Sequence, residues 1–134
     1  MFVDACAIVA ALSDEPEAQR VLNALERARD SFTSPVAVLE AVLALSRADK
    51  FDLPTGRIEP LVLEFLDIQR VTIRDMPPAP ELTKLSLSAV NRYRSGRHGL
   101  NLGDCLHYAC AMHYRVPILA TADEFRQTDL ETVA

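Results

Sequence analysis

The chain has no apolar run long enough to span a membrane, no surplus of basic residues and only four glycines, and each shortage removes a class of function. A membrane helix needs about 20 consecutive apolar residues, so no membrane partner is expected. The first apolar run, Met1-Phe2-Val3, is cut by Asp4 with no basic leader before it, which predicts no signal peptide and a cytoplasmic protein. Cys6, Cys105 and Cys110 are an odd number, and the last two lie five apart on one predicted helix and point different ways, so reduced thiols are expected. The glycines, Gly56, Gly96, Gly99 and Gly103, are too scattered to form a phosphate-cradling loop. Net charge −5 and a pI near 5.1 argue against a general nucleic-acid binder, whose affinity comes from Lys and Arg. They leave room for a nuclease whose metal ions supply local positive charge. The 134 residues suffice for one core, and one domain over 1–134 is expected, without internal repeat or low-complexity segment.

What the chain does have is an alternation of strand-like and helical patterns. A strand ending at Asp4 leads into a helix over Ala5 to Leu12. Asp14-Glu15-Pro16-Glu17 reads as the first turn of a helix to about Arg29, with Val21, Leu22, Leu25 and Ala28 inside. A strand at Ser31 to Thr33 precedes a helix from Ser34-Pro35 to near Lys50. After a loop over 51–56 comes a helix to Ile68, a strand at Val71 to Ile73, and a proline connector over 76–80 that predicts no helix. Helices over 81–94 and 103–114, a strand at 117–120, a short helix at 123–127 and an edge strand at 130–133 complete the pattern. Strands alternating with helices predict an α/β fold, a mainly parallel sheet between two helical layers.

Four acids punctuate this apolar ground: Asp4, Glu40, Asp104 and Asp123. On a helix the neighbours of Glu40 three and four positions away are Val36, Ala37, Leu43 and Ala44, all apolar, and the nearest basic residues, Arg47 and Lys50, are not expected to meet it. A carboxylate withdrawn from water without a partner costs several kcal/mol, on the order of the ion's desolvation penalty, so something cationic should meet it. Asp4 and Asp123 follow strands directly, where sites of open parallel sheets form, and helix starts carrying Glu40 and Asp104 face the same rim. Each acid except Glu40 also has a capping role open to it. Asp4 can cap the helix at Ala5, Asp104 can close a box with Asn101, and Asp123 can sit in a first turn behind Thr121.

Four segments together resemble a known family. Met1-Phe2-Val3-Asp4-Ala5-Cys6-Ala7-Ile8-Val9-Ala10, Ser34-Pro35-Val36-Ala37-Val38-Leu39-Glu40-Ala41, Leu102-Gly103-Asp104-Cys105 and Ile118-Leu119-Ala120-Thr121-Ala122-Asp123-Glu124-Phe125 are similar to the four signature blocks of PIN-domain ribonucleases, specifically the VapC-like toxins of toxin-antitoxin pairs. The blocks keep the family's order and span nearly the whole chain. The resemblance implies a PIN-like three-layer α/β/α sandwich and an endoribonuclease dependent on Mg²⁺ or Mn²⁺. It also implies a homodimer, an RNA substrate such as tRNA or rRNA, and inhibition by a VapB-like antitoxin. By position it makes Asp4, Glu40, Asp104 and Asp123 the metal-binding and catalytic acids. Two positions depart from the usual pattern: Cys6 stands where Ser or Thr is common, and Glu124 follows Asp123, which leaves open whether Glu124 reaches the metal.

The chemistry suits these residue types. Mg²⁺ is a hard ion that prefers oxygen ligands and keeps much of its water. It would relieve repulsion among clustered acids, hold the scissile phosphate and lower the pKa of an attacking water, leaving 5′-phosphate and 3′-hydroxyl ends. Thr121 is a candidate for positioning that water, or for capping a helix. The densest basic stretch, Arg92, Arg94, Arg97 and His98, precedes the Asp104 helix and is the candidate substrate grip, with Tyr93 available to stack on a base; a solvated helix end is the alternative. Cys105, His107, Cys110 and His113 share one helix, and four ligands on one straight helix cannot surround a zinc ion, so core packing is expected of the cysteines. A metal-dependent phosphatase uses the same acids. A receiver-like signalling module would need a lysine at a strand end, whereas Lys50 and Lys84 fall in predicted helices.

Overall fold

The computed structural model describes residues 1–134. Five strands, β1 (Phe2–Val3), β2 (Ser31–Thr33), β3 (Val71–Ile73), β4 (Ile118–Leu119) and β5 (Thr132–Val133), form one sheet in the order β3-β2-β1-β4-β5 with every pair parallel. Parallel neighbours need crossovers, and these are helical: α1 (Ala5–Leu12) with α2 (Ala18–Arg27), α3 (Pro35–Ser46) with α4 (Thr55–Ile68), and α5 (Ala79–Tyr93) with α6 (Leu102–Tyr114). From β1 the chain steps outward through β2 to β3, then returns past β1 to β4. Right-handed crossovers therefore put α1 to α4 on one face and α5 with α6 on the other, the three layers of a PIN-like sandwich.

The central strands are apolar because both of their faces are covered. Phe2, Val3, Ile118 and Leu119 are fully buried, and Phe2 meets Phe32 edge-on at 5.8 Å. Burying such a side chain is worth about 1.5–3 kcal/mol, which outweighs the short length of these strands. Ile8, Leu45, Ile58 and Tyr108 bring α1, α3, α4 and α6 onto that core.

Helix starts follow their caps. Asp4 caps α1, Ser34 Oγ accepts from the Ala37 N–H of α3 at 3.2 Å with Pro35 in the first turn, and Asn101 with Asp104 forms a capping box on α6. Several boundaries differ from the sequence reading. Asp14 takes a left-handed backbone (φ 52°), so α2 begins only at Ala18. The α3 helix stops at Ser46, because Arg47 is extended (ψ 157°), and Lys50 lies in the following turn rather than in a helix. The proline connector ends sooner than expected: α5 starts at Ala79 and takes Pro80 into its first turn, where an N–H has no helical partner to lose.

Candidate active site

The order β3-β2-β1-β4-β5 has its switch point between β1 and β4, and the crevice there opens beyond their carboxyl ends. Asp4 leaves β1 into that crevice. Its Oδ2 accepts the Cys6 N–H at 3.0 Å, while its Oδ1 is buried without a hydrogen-bond partner, in a residue only 4 % exposed. Cys6 ties the two rim loops together, since its Sγ accepts the Thr121 N–H at 3.2 Å. Burial, then the adjacent Asp4 charge, pushes the Cys6 thiol far up and keeps it protonated.

Glu40 reaches the same crevice from α3. Its Oε2 lies 2.6 Å from His107 Nε2, and that nitrogen is 3.7 Å from Asp4 Oδ1. One imidazole thus faces two of the acids named from sequence. Glu40 is less sequestered than its apolar neighbours implied: the side chain is 37 % exposed, and Leu39 and Leu43 beside it face outward. The Glu40 carboxylate also lies directly on Gly103, where a Cβ would overlap Oε1. Only glycine leaves that space open.

The sequence places His107 in a Cys/His cluster unsuited to zinc and gives no sign of this role except spacing, since His107 follows Asp104 by three on α6 and so shares its face. Burial disfavours the charged ring, but the Glu40 hydrogen bond and the charges of Asp4, Glu40 and Asp104 outweigh it and raise the His107 pKa.

Asp104 does both jobs weighed for it: it closes the capping box, accepting the Asn101 N–H at 2.9 Å, and it lines the crevice. Burial pushes its pKa up to about 6; the Asn101 N–H opposes this, and Asp4 and Glu124 add to the rise. The crevice is a cavity of about 380 Å³ lined by Asp4, Glu40, Asp104 and Glu124, with Thr121 and Cys6 between them. Glu124 Oε2 is, like Asp4 Oδ1, a buried oxygen without a partner.

Asp123 is not brought to this cavity. Its side chain is 70 % exposed and its Oδ1 lies 3.4 Å from Arg126 Nε. The 3-10 turn Glu124–Gln127 is anchored by buried Phe125, which turns Glu124 inward and leaves Asp123 outside. Nor do the basic residues named from sequence line it. Arg92 lies 3.4 Å from Asp129 and over the ring of Tyr93, which itself packs on Tyr108. Arg94 and Arg97 are exposed around the following loop. Cys105 and Cys110 are free and buried in the core, as expected, and His113 Nδ1 stands 2.9 Å from Glu81 Oε2.

With the side chains so placed, no three His, Cys, Asp or Glu residues form a group that could hold a metal ion. Glu40 is drawn to His107 and one Asp104 oxygen to Asn101. The donor set nevertheless fits a hard divalent cation: all four acids offer oxygen, and two of their oxygens are buried and unsatisfied, a state that costs about 1–3 kcal/mol or more for a charged group.

The chain is a parallel α/β sandwich with carboxylates gathered at its switch point. The chain belongs to the PIN domain family, which matches residues 1–129. It is 34 % identical over 136 residues to ribonuclease VapC30 of Mycobacterium tuberculosis, covering 100 % of this chain and 98 % of that one. Among solved structures, M. tuberculosis VapC20, a sarcin-ricin loop cleaving toxin, superposes with a TM-score of 0.72 at 12 % identity, over 96 % of this chain and 95 % of that one. A toxin-antitoxin complex from Klebsiella pneumoniae superposes with a TM-score of 0.70 at 16 % identity, over 99 % and 95 %. This membership sets aside the receiver-like module.

Proposed function

We propose that this protein is a cytoplasmic endoribonuclease toxin of the VapC kind, dependent on Mg²⁺ or Mn²⁺ and hydrolysing RNA phosphodiester bonds. The observation that carries the reading is that Asp4 and Glu124, each with a buried carboxylate oxygen that accepts no hydrogen bond, line the same cavity as Glu40 and Asp104. Full-length likeness to ribonucleases supplies the reaction class. Asp4, Glu40, Asp104 and Glu124 would hold the ion, with Asp123 outside. When bound, the ion supplies Lewis acidity toward the phosphate and an acidified water. His107 holds Glu40 in place beside Asp4. Thr121, tied through its N–H to Cys6, lines the cavity and would orient a water with its hydroxyl. Ribosomal or transfer RNA is the substrate class.

The partners follow from the same family. A VapB-like antitoxin fits the apolar depression between α3 and α4, where Leu39, Leu43 and Leu63 line a cavity of about 400 Å³. Leu39 and Leu43 bracket Glu40 along α3, so an occupant there lies on the helix that carries Glu40. A second copy of the chain is the other proposed partner, and light scattering on the purified protein tests it. No helix is long and apolar enough to cross a membrane.

The test is cleavage of purified rRNA and tRNA in Mg²⁺ or Mn²⁺. EDTA, Asp4→Asn and Glu40→Gln should each abolish product, and the fragments should carry 5′-phosphates. Equal cleavage in all these arms would mark a contaminant and remove the proposal.

A further inference from the structure

The acid cavity has two cations in its wall, Arg47 and Lys50, and neither belongs to the basic stretch 92–98. Both arrive because α3 ends at Ser46. The turn that follows is closed by Lys50 and Asp52 N–H groups donating to the Arg47 carbonyl at 3.0 Å each, and it carries Lys50 back against α1. There Lys50 Nζ donates to Glu15 Oε1 at 2.5 Å, and Ser13 Oγ donates to the same oxygen at 3.2 Å. The lysine side chain is only 21 % exposed. Arg47 stands at the mouth, 59 % exposed, with Asp49 beside it at 3.1 Å.

The Lys50–Glu15 pair, partly open to water, contributes little to stability, but it holds the ammonium in one place. Held here, it faces a cavity whose other charged groups are chiefly carboxylates. An approaching polyanion meets repulsion from them, and the cations that the lining offers it are Arg47 and Lys50, each with a carboxylate beside it. Ammonium and guanidinium groups both donate well to non-bridging phosphate oxygens, the lysine as a point charge and the arginine as a fork.

We propose that Lys50, restrained by Glu15, and Arg47 hold an RNA phosphate next to the scissile one, so that the strand enters the cavity from the side of α1 and the turn after α3. The inference rests on the ribonuclease reading above. Phosphate contacts position a strand without reading its sequence, so both residues serve placement rather than base choice.

The probe is fluorescently labelled rRNA binding to the Asp4→Asn chain across a salt series, beside steady-state cleavage of unlabelled rRNA by the parent chain. Lys50→Ala should weaken binding on the order of tenfold and lower the salt slope by about one phosphate contact, with Lys50→Arg recovering most of both. In cleavage, Lys50→Ala should raise KM and leave kcat nearly unchanged. Arg47→Ala, at an exposed position that the fold does not need, should shift the slope likewise. Unchanged binding and slope in Lys50→Ala and Arg47→Ala overturn the proposal, as does the same loss from Arg94→Ala with Arg97→Ala and none from Lys50. If the parent chain binds RNA yet never cleaves it, the ribonuclease reading falls, while the salt slope still decides this inference. If it cleaves and the slope stays flat, this inference falls alone.

Discussion

The Glu40 carboxylate rests on the bare Cα of Gly103, one residue before Asp104, so the first turn of α6 is shaped by the side chain that α3 presents to it. Gly103→Ala should therefore displace Glu40 and cut RNA cleavage by a factor on the order of 10–100, the scale expected when a positioned group moves by about an ångström. Alanine is the better helix former by about 1 kcal/mol, which offsets part of the strain. The melting temperature should change far less than the rate, and calorimetry with a cleavage assay checks both.

His107 and Glu40 should behave as a pair. Removing the imidazole in His107→Ala leaves Glu40 and Asp4 facing each other without the group between them, and it empties a fully buried position. A loss of about 1–3 kcal/mol in unfolding free energy is expected, from a denaturant titration without added metal. Mn²⁺ should restore more stability to this variant than to the parent chain.

Acidity should act on the metal-free chain through Asp104 and His107. The Asp104 pKa is raised to about 6 from 3.8, so the folded state binds its proton more tightly, and this contribution to stability declines as pH rises through that window. The His107 pKa is also raised, so its contribution is fully present below the unfolded value of 6.5 and is lost as pH climbs through the higher folded value. Both slopes have the same sign. Melting temperatures at pH 5, 6, 7 and 8 should show the gain from Mn²⁺ growing with pH, and Asp104→Asn should flatten the metal-free profile between pH 4 and 6.

Glu124 and Asp123 offer a direct contrast. Glu124→Gln should lower cleavage at least tenfold and weaken the Mn²⁺ response, whereas Asp123→Asn, which loses only an exposed contact with Arg126, should do much less. The reverse order in a side-by-side assay would return Asp123 to the metal.

Much of this molecule is written in local patterns. The α1 helix and strands β2 and β3 have the bounds read from sequence, because Asp4 is a cap and because Ser31 to Thr33 and Val71 to Ile73 are short runs bounded by polar residues. Glu40 and Asp104 reach one cavity, as their places on two helices led one to expect, although Leu39 and Leu43 face outward and leave Glu40 more open than its apolar neighbours implied. Where the reading failed, the deciding contacts were distant in sequence. Lys50 looked helical until the turn after Ser46 sent it 35 residues back to Glu15, and His107 gave no sign that a glutamate 67 residues away would meet its Nε2.

The sequence by itself settled the order of strands and helices along the chain and put acids at the ends of strands, since periodicity, caps and chain connectivity are short-range or topological matters. Only the tertiary structure decided which of two adjacent acids, Asp123 or Glu124, turns inward, and which cations share the cavity. Those choices depend on packing between elements: Phe125 seated in the core rotates one carboxylate in and the other out, and the turn after α3 brings Lys50 to the cavity beside Arg47, which lies two turns beyond Glu40 on the same face.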